Sequence, residues 1–346
     1  MSSVDVRKLA ANQNSYARSQ GGNPMARLDA DMKHVLDVLA AMEPRPIAQC
    51  SAAEARAQPT PAQALGRILR DAVDDHGVDM ELRLIPGPAG DIRARVYAPR
   101  LLTGPGTPPM ILYLHGGGWV IGDLDSYDAT PRALAKRTGA IVVSAHYRQA
   151  PEFRFPAAHL DSYAAWLWMG ENAESLGGDP GRAAIVGEGS GANMAVNIAL
   201  RARAEDKPRP LHLVLITPMA GGDPSLPSYV ENADSRPLNA ATVRWFMRKA
   251  LRSKDAARDP RLMLTERADL GGLPPTTVIL AEIDPLRSEG EALADALRRS
   301  GVWVDCTTYE GVTHQFFGLA QIVNKSMFAQ SQVARNLIEA FERQSL

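Results

Sequence analysis

The 346-residue sequence is poor in cysteine, in long apolar runs and in net charge. Because Cys50 and Cys306 are its only cysteines, it can form neither a multi-disulfide scaffold nor a four-thiolate zinc site. No stretch approaches the roughly 18 to 20 consecutive apolar residues of a membrane span. The 38 basic and 39 acidic residues nearly cancel, so no broad basic field attracts nucleic acid or an anionic membrane.

Targeting and cofactor signals are also missing. The first twenty residues, MSSVDVRKLAANQNSYARSQ, lack the apolar core of a secretion signal, which predicts a cytoplasmic protein. Histidines such as His34, His76 and His212 show no metal-ligand spacing, and no phosphate loop or complete dinucleotide fingerprint occurs. We therefore expect no metal and no other cofactor. The 45% of hydrophobic residues is ordinary globular composition and suffices for a large core.

Helical patterns dominate the first part of the chain. Apolar residues recur every three or four positions from Arg27 to Met42, Ser51 to Glu54 has the pattern of a capping box, and Ala62 to Val73 is again helical. These pieces offer no obvious core of their own. We expect residues 1–78 to form a helical cap or arm that rests on the remaining domain, residues 79–346.

From Met80 onward the pattern is that of β-strands. Alternation in Met80 to Ile85 and Ile92 to Tyr97, around a Gly- and Pro-rich turn, predicts a β-hairpin. Six short apolar runs follow, most of them separated by segments of helix length: Met110 to Leu114, Ala140 to Ala145, Ala183 to Val186, Leu211 to Ile216, Thr276 to Ala281 and Val302 to Thr308. This order predicts an α/β fold with a mostly parallel central sheet flanked by helices. Residues 219–269 interrupt this order, and we expect them to form a cap insertion with an amphipathic segment, Val243 to Leu251.

Residues with catalytic potential follow the predicted strands. In an open parallel sheet, ligands bind beyond the carboxyl ends of the strands. Four segments fall there: His115-Gly-Gly-Gly-Trp119, Gly187-Glu-Gly-Ser-Gly191, Asp284-Pro-Leu-Arg287 and Gly311-Val-Thr-His314. Ser190, Asp284 and His314 occur in the chain order nucleophile, acid, base of the hydrolases built on such sheets. An isolated glycine triplet is usually a flexible turn, but after a strand its amides can converge into an oxyanion hole.

These motifs, together with Tyr147-Arg-Gln-Ala-Pro-Glu152, resemble the hormone-sensitive-lipase-like branch of the α/β-hydrolases, the bacterial family IV esterases. The resemblance extends from about Ser51 to the end of the chain. It implies an α/β-hydrolase fold with a helical cap and a carboxylesterase that cleaves small or medium acyl esters with a Ser-His-Asp triad. Gly117 and Gly118 would be oxyanion donors, and Gly191 is assigned with them to substrate binding. His314 would be the general base, and Asp284 would orient it. Relatives of this kind often pair, so a homodimer is expected.

The sequence departs from the family at the nucleophile. The family places serine at the centre of G-x-S-x-G, shortly before an asparagine that corresponds here to Asn193. With this alignment the centre is Gly189, and the hydroxyl of Ser190 comes one residue later. Glycine tolerates the strained positive-φ backbone of the centre but offers no atom that can attack a carbonyl.

Three hypotheses follow from this departure. In the first, the turn shifts register and Ser190 is the nucleophile, which is our first candidate. In the second, the site is catalytically impaired, by natural or engineered change, and either binds small ligands or lets His314 activate water. In the third, the pocket is a small-molecule receptor without turnover, because a fold alone does not establish chemistry. In each case the expected partner is a small molecule, an ester in the first.

Acidic and basic residues near these motifs are interpreted as structural. The Glu188 side chain is expected to point away from the pocket. Tyr147-Arg148 and Pro151-Glu152 are expected to brace the loop beneath the site through a buried ion pair.

Overall fold

The computed structural model describes residues 23–70, 77–101, 106–253, 255–267 and 269–343. Residues 1–22 and 71–76 of the predicted arm, including the end of its third helical pattern, lie outside these ranges. The described strands form one eight-stranded sheet. Their bounds are β1 Val78–Ile85, β2 Ile92–Pro99, β3 Pro109–Leu114, β4 Ile141–His146, β5 Asp179–Glu188, β6 Leu213–Ile216, β7 Thr276–Ile283 and β8 Val304–Thr313.

The strand order is β1-β2-β4-β3-β5-β6-β7-β8. β1 and β2 pair antiparallel from Val78 opposite Pro99 to Ile85 opposite Ile92, so the predicted hairpin is confirmed. β2 is antiparallel to β4, and all further neighbours are parallel. The mostly parallel sheet agrees with the predicted fold class, and each predicted apolar run lies largely or wholly within a strand.

Ten α-helices connect and cover these strands within the described residues. They are α1 Ala30–Ala40, α2 Ala52–Arg56, α3 Pro61–Leu69, α4 Ala129–Thr138, α5 Ala157–Asn172, α6 Ser190–Ala204, α7 Pro227–Glu231, α8 Ala240–Ala250, α9 Arg287–Arg299 and α10 Asn324–Glu342. The capping box predicted at Ser51 is present, since its side chain accepts from the Glu54 amide and Glu54 accepts from the Ser51 amide. Helix ends differ from the sequence prediction by a few residues.

The core lies on both faces of the sheet. Along β3, Met110, Leu112 and Leu114 belong to the apolar cluster of one face, whereas Ile111 and Tyr113 belong to that of the other. All five are completely buried. Burial on both faces explains why the strands are continuous apolar runs rather than alternating patterns.

The amino-terminal helices and the 219–269 insertion contact each other and the carboxyl ends of the strands. Trp245 Nε1 of α8 donates to the Cys50 carbonyl at 3.1 Å. The Asp29 amide, just before α1, donates to the Gly311 carbonyl near the end of β8 at 2.9 Å. Both segments therefore lie on the edge of the sheet where the predicted site residues follow their strands.

Candidate active site

A sharp turn joins β5 to α6 at Gly189. Its φ of 53° and ψ of −113° lie in a region that L-residues rarely adopt. An added Cβ at Gly187 would lie 2.4 Å from the carbonyl carbon of Gly191, and one at Gly191 would lie 2.0 Å from the Leu114 carbonyl oxygen. Strand and helix therefore pass each other so closely that both flanking positions require glycine.

The centre of this turn faces His314. A Cβ built on Gly189 would lie 3.7 Å from His314 Nε2 and 3.8 Å from the Gly116 Cα. These are ordinary van der Waals distances, so the surroundings have room for a small side chain at this position. The chain thus makes a sharp strand-to-helix turn with positive φ, and the position of Gly189 faces the His314 ring.

Ser190 is the first residue of α6, and its hydroxyl is directed elsewhere. Its side chain is buried, and Oγ accepts a 3.3 Å hydrogen bond from the Trp119 amide. It also adjoins Tyr147, whose pKa is raised by burial and partly lowered again by this hydroxyl. Among the described residues, no hydrogen bond joins Ser190 to His314. The structure therefore brings Ser190 next to the glycine loop rather than to the base.

Asp284 and His314 form a buried acid–base couple. Asp284 directly follows β7, and His314 directly follows β8. Their side chains meet at 2.8 Å between Asp284 Oδ2 and His314 Nδ1, while Asp284 Oδ1 accepts from the Leu286 amide at 2.9 Å. Because a carboxylate only accepts, Nδ1 donates in this hydrogen bond, and Nε2 is the ring nitrogen that faces Gly189.

The glycine loop after β3 has an unusual backbone. Gly117, Gly118 and Trp119 have φ values of 102°, 59° and 61°. A Cβ on Gly117 would lie 2.0 Å from the Ile121 carbonyl oxygen, and one on Gly118 would lie 2.2 Å from the ring of Phe246 in α8. Side chains are thus excluded from these two positions, which exposes the loop backbone to the cavity.

His115 holds this loop from behind. Its Nδ1 donates to the Gly116 carbonyl at 2.7 Å, and its ring stacks on Tyr147 with centroids 4.4 Å apart. The Tyr147 hydroxyl donates to the His115 carbonyl at 2.9 Å. Burial lowers the pKa of His115 to about 3, so the ring is neutral near pH 7.

A cavity of about 1170 Å³ opens above these groups. Gly117, Gly118, Gly189, Ser190 and His314 line its floor, and residues of α1, the α2–α3 region and α8 line other walls. Gly191 lies behind this floor, where its Cα faces the Leu114 and His115 carbonyls. Two of the predicted site residues do not line the cavity: Gly191, and Asp284, which lies behind His314.

The carboxylate of Glu188, next to Gly189, has structural partners. Glu188 Oε1 accepts from the Tyr113 and Thr130 hydroxyls, each at 2.7 Å, and burial raises the Glu188 pKa. These hydroxyl partners agree with the interpretation of Glu188 as structural, but Glu188 also lines the cavity, so the expectation that it points away from the pocket stays a prediction.

The predicted ion pair beneath the loop is wrong in its partners. Arg148 binds the buried Asp161 of α5 at 2.7 Å, whereas Glu152 binds Arg56 of α2, also at 2.7 Å. Both partners come from helices packed against the loop. Because both partners lie outside the segment from Tyr147 to Glu152, an interpretation of that segment alone could not identify them.

Two residues that sequence reasoning missed support the site. Arg56 donates to the Val120 carbonyl at 2.9 Å and to the Ala150 carbonyl at 2.8 Å, which ties α2 to the end of the glycine loop. Glu289 is fully buried and accepts from the amides of residues 220–222 at 2.7–3.0 Å, which anchors the start of the insertion. Glu289 lies two residues beyond the Asp284-Pro-Leu-Arg287 segment, a signal that could have identified it; Arg56 has no such local signal.

Comparisons with known proteins agree with this architecture. The family model described as alpha/beta hydrolase fold matches residues 111–318. The chain is 40% identical over 237 residues to carboxylesterase NlhH of Mycobacterium tuberculosis, covering 67% of this chain and 73% of that protein. It is 38% identical over 266 residues to esterase LipI of the same organism, covering 75% and 83%.

Solved structures agree as well. The esterase of Pyrobaculum calidifontis matches with a TM-score of 0.80 and 35% identity, over 90% of this chain and 98% of that one. A thermostable esterase from Pseudomonas putida ECU1011 matches with a TM-score of 0.81 and 30% identity, over 93% and 99%. The similarity therefore includes both the sheet and the helices around the cavity.

Proposed function

Because the chain belongs to the α/β-hydrolase family, we propose that it is a carboxylic ester hydrolase for small or medium acyl esters in which His314 activates a water molecule. One observation carries the choice of water. A Cβ on Gly189 would lie 3.7 Å from His314 Nε2, so the base faces the turn centre, where this chain has no hydroxyl. The relatives named carboxylesterase and esterase support the reaction class.

The proposed reaction uses the floor of the cavity. The ester carbonyl oxygen lies against the amides of Gly117 and Gly118, which stabilise the negative charge that develops there. His314 Nε2 takes a proton from water as its oxygen bonds to the carbonyl carbon, and Asp284 stabilises the imidazolium that forms. The C–O bond to the alcohol then breaks, and the proton on Nε2 passes to the departing oxygen. The products are the carboxylic acid and the alcohol.

Ser190 has a positioning role in this proposal. Its Oγ accepts from the Trp119 amide at 3.3 Å, which links the first turn of α6 to the glycine loop. The alternative, in which Ser190 is the nucleophile, requires its hydroxyl to leave Trp119 and reach Nε2. A displacement near 1 Å can already cost roughly a hundredfold in rate, so this is the less favoured mechanism. Gly191 supports the site by permitting the close approach of α6 to β3.

The substrate site includes a cap in this proposal. The described amino-terminal helices and residues of the 219–269 insertion line the cavity opposite the glycine loop. We propose that they select the acyl and alcohol groups, as a cap does, while residues 79–346 otherwise supply the catalytic domain. The ring of Phe246 lies against Gly118. In this proposal it would contact the part of the ester next to the ester carbonyl group.

The cytoplasmic location and the homodimer stay predictions. None of the described helices has both the length and the apolar character to cross a bilayer. Light scattering at micromolar concentration tests the dimer. A molar mass of twice 37.3 kDa supports it, and the monomer mass of 37.3 kDa contradicts it.

Hydrolysis of p-nitrophenyl acetate and butyrate tests the proposed function. We expect slow turnover without a burst, because no acyl-enzyme accumulates. His314→Gln should lower the rate to the uncatalysed level, and the remote, exposed substitution Phe328→Ala should leave it unchanged. A His314→Gln variant that hydrolyses the esters as fast as wild type would contradict the proposal. A burst of p-nitrophenol equal to the enzyme concentration would contradict it as well.

A further inference from the structure

We propose that the same site transfers the acyl group of an ester directly to a small alcohol, in a single displacement without an acyl-enzyme. This inference rests on the proposed hydrolysis, because it uses the same base and glycine loop. It adds a second class of substrate, primary alcohols of the size of methanol. The product is then a new ester instead of a carboxylic acid.

The first support is the position of the nucleophile. In a serine esterase the attacking oxygen is bonded to the turn residue, so an alcohol can react only after the acyl-enzyme has formed. Here the base Nε2 faces Gly189, and ordinary contact distances of 3.7 and 3.8 Å surround a Cβ built there. The attacking oxygen therefore belongs to a free molecule. Any small hydroxyl compound that contacts the Gly189 Cα and reaches Nε2 competes with water.

The second support is the apolar surface next to this position. Met219 and Leu286 both line the cavity. The Met219 amide donates to the Gly189 carbonyl at 3.0 Å, and the Leu286 amide donates to Asp284 Oδ1 at 2.9 Å. The backbone of each apolar residue is thus held next to Gly189 or Asp284, and both residues line the same cavity. An alkyl group that is buried against such side chains gains about 0.8 kcal/mol per CH₂, a gain that water lacks.

The third support is the size of the cavity. Ligand pockets commonly enclose about 300–1000 Å³, and this cavity of about 1170 Å³ exceeds that range. An ester of medium length and a second small molecule can therefore occupy it together. Such a ternary complex is what a single displacement requires.

The transfer step balances without any further reactant. His314 Nε2 accepts the hydroxyl proton of methanol as the methanol oxygen bonds to the carbonyl carbon. The bond from that carbon to the original alkoxy oxygen breaks, and the proton on Nε2 passes to this oxygen. For p-nitrophenyl butyrate and methanol, the products are methyl butyrate and p-nitrophenol. Nothing is oxidised or reduced.

The kinetics of p-nitrophenol release distinguish the two routes. In a route with an acyl-enzyme, p-nitrophenol leaves in the acylation step, before the acceptor reacts. The value of kcat/KM for p-nitrophenol release is therefore independent of the acceptor. In a single displacement, methanol takes part in that same step. We expect kcat/KM to rise with methanol, by at least about twofold at roughly 1 M, and methyl butyrate to appear in proportion. Ethanol should follow, and tert-butanol should have no such effect.

Gly189→Ser and Gly189→Ala are the matched variants, because they differ by one oxygen atom. Gly189→Ser should form methyl butyrate through an acyl-enzyme, with kcat/KM for p-nitrophenol release independent of methanol. Gly189→Ala adds a Cβ where the free oxygen must approach, so we expect it to lose most of the methanol-dependent rate. Folding of both variants is checked by circular dichroism and thermal unfolding.

The outcomes separate this inference from the proposed function. If wild type hydrolyses the ester but its kcat/KM does not change with methanol, direct transfer is wrong and hydrolysis stands. If wild type releases no p-nitrophenol with or without methanol while Gly189→Ser does, the proposed hydrolysis fails as well. A methanol effect that is equal in wild type and in His314→Gln also contradicts direct transfer, since it would be a solvent effect.

Discussion

The two sides of the site differ in what they retain. On the acid–base side, Asp284 and His314 keep both their side chains and the 2.8 Å contact between them. On the turn side, the sharp positive-φ backbone that we propose to be a nucleophile turn is present, but its central residue is Gly189. Backbone shape and side-chain chemistry are thus separate properties of this site: the first is enforced by packing, and the second depends on one residue.

Packing explains why the turn keeps its shape. A Cβ at Gly187 or Gly191 would approach backbone atoms to within 2.4 Å, so these positions hold α6 against β5 and β3 whatever residue 189 is. The Gly189 amide donates to the Ile216 carbonyl at 2.9 Å, and its carbonyl accepts from Met219. These contacts use only the backbone of residue 189, so they do not depend on which side chain stands there.

The largest effect is expected from restoring a hydroxyl on the turn side. Gly189→Ser should raise kcat for p-nitrophenyl butyrate by at least about a hundredfold, because loss of a serine nucleophile can cost on the order of 10⁶. Gly189→Ala is the control, since it introduces the same backbone strain without the oxygen. Equal rates for the two variants would show that the acid–base side is not poised for catalysis.

A second prediction concerns the shape of the turn. Gly191→Ala would place a Cβ 2.0 Å from the Leu114 carbonyl oxygen, so we expect it to lower the free energy of unfolding by about 3 kcal/mol. Gly301→Ala is the matched control. It has a φ of 81° but no atom within 4 Å of its Cβ, and should cost only about 1 kcal/mol of backbone strain. Urea unfolding measures both, and equal losses would contradict the packing explanation.

A third prediction uses pH to examine the glycine loop. The pKa of His115 is about 3 in the folded chain and about 6.5 when unfolded. The unfolded state therefore binds more protons between these values, so stability falls as pH falls from about 6.5 towards 3. From pH 7 to pH 5 the titration of His115 should lower the free energy of unfolding by about 2 kcal/mol.

His115→Gln removes this titrating group. The difference in unfolding free energy between wild type and His115→Gln should therefore shift by about 2 kcal/mol in favour of the variant between pH 7 and pH 5. Urea unfolding at both pH values measures it. A difference independent of pH would mean that His115 is not held neutral by burial.

The smallest effect is expected at Ser190. Ser190→Ala removes the acceptor of the Trp119 amide but not a nucleophile, so kcat/KM for p-nitrophenyl butyrate should fall by less than about tenfold. Ser190→Thr keeps the hydroxyl and should recover part of the loss. A fall to the level of His314→Gln would assign the nucleophile to Ser190 after all.

The fold was largely predictable because its signals are local. Apolar runs bounded by turns located the strands, and the motifs at their ends located Asp284, His314 and the glycine loop. Contacts between distant segments were not predictable in this way. The partners of Arg148 and Glu152 lie on α5 and α2, and their identity depends on how those helices pack.

The direction of the Ser190 side chain was equally inaccessible. The sequence shows that the hydroxyl belongs to Ser190, one residue after the expected serine position at Gly189. A shift in the register of the turn could have compensated for this difference. Only the packing of Gly187 and Gly191 decides the register, and it leaves Ser190 at the start of α6 beside Trp119.

Covalent labelling tests the central claim, that the base faces residue 189 and not the Ser190 hydroxyl. Wild type and Gly189→Ser are treated with a p-nitrophenyl phosphonate ester, and the modified residue is identified by peptide mass spectrometry. We predict stoichiometric modification at position 189 in the variant and none at Ser190 in either protein. A stoichiometric phosphonate adduct on Ser190 of the wild-type protein would contradict the account.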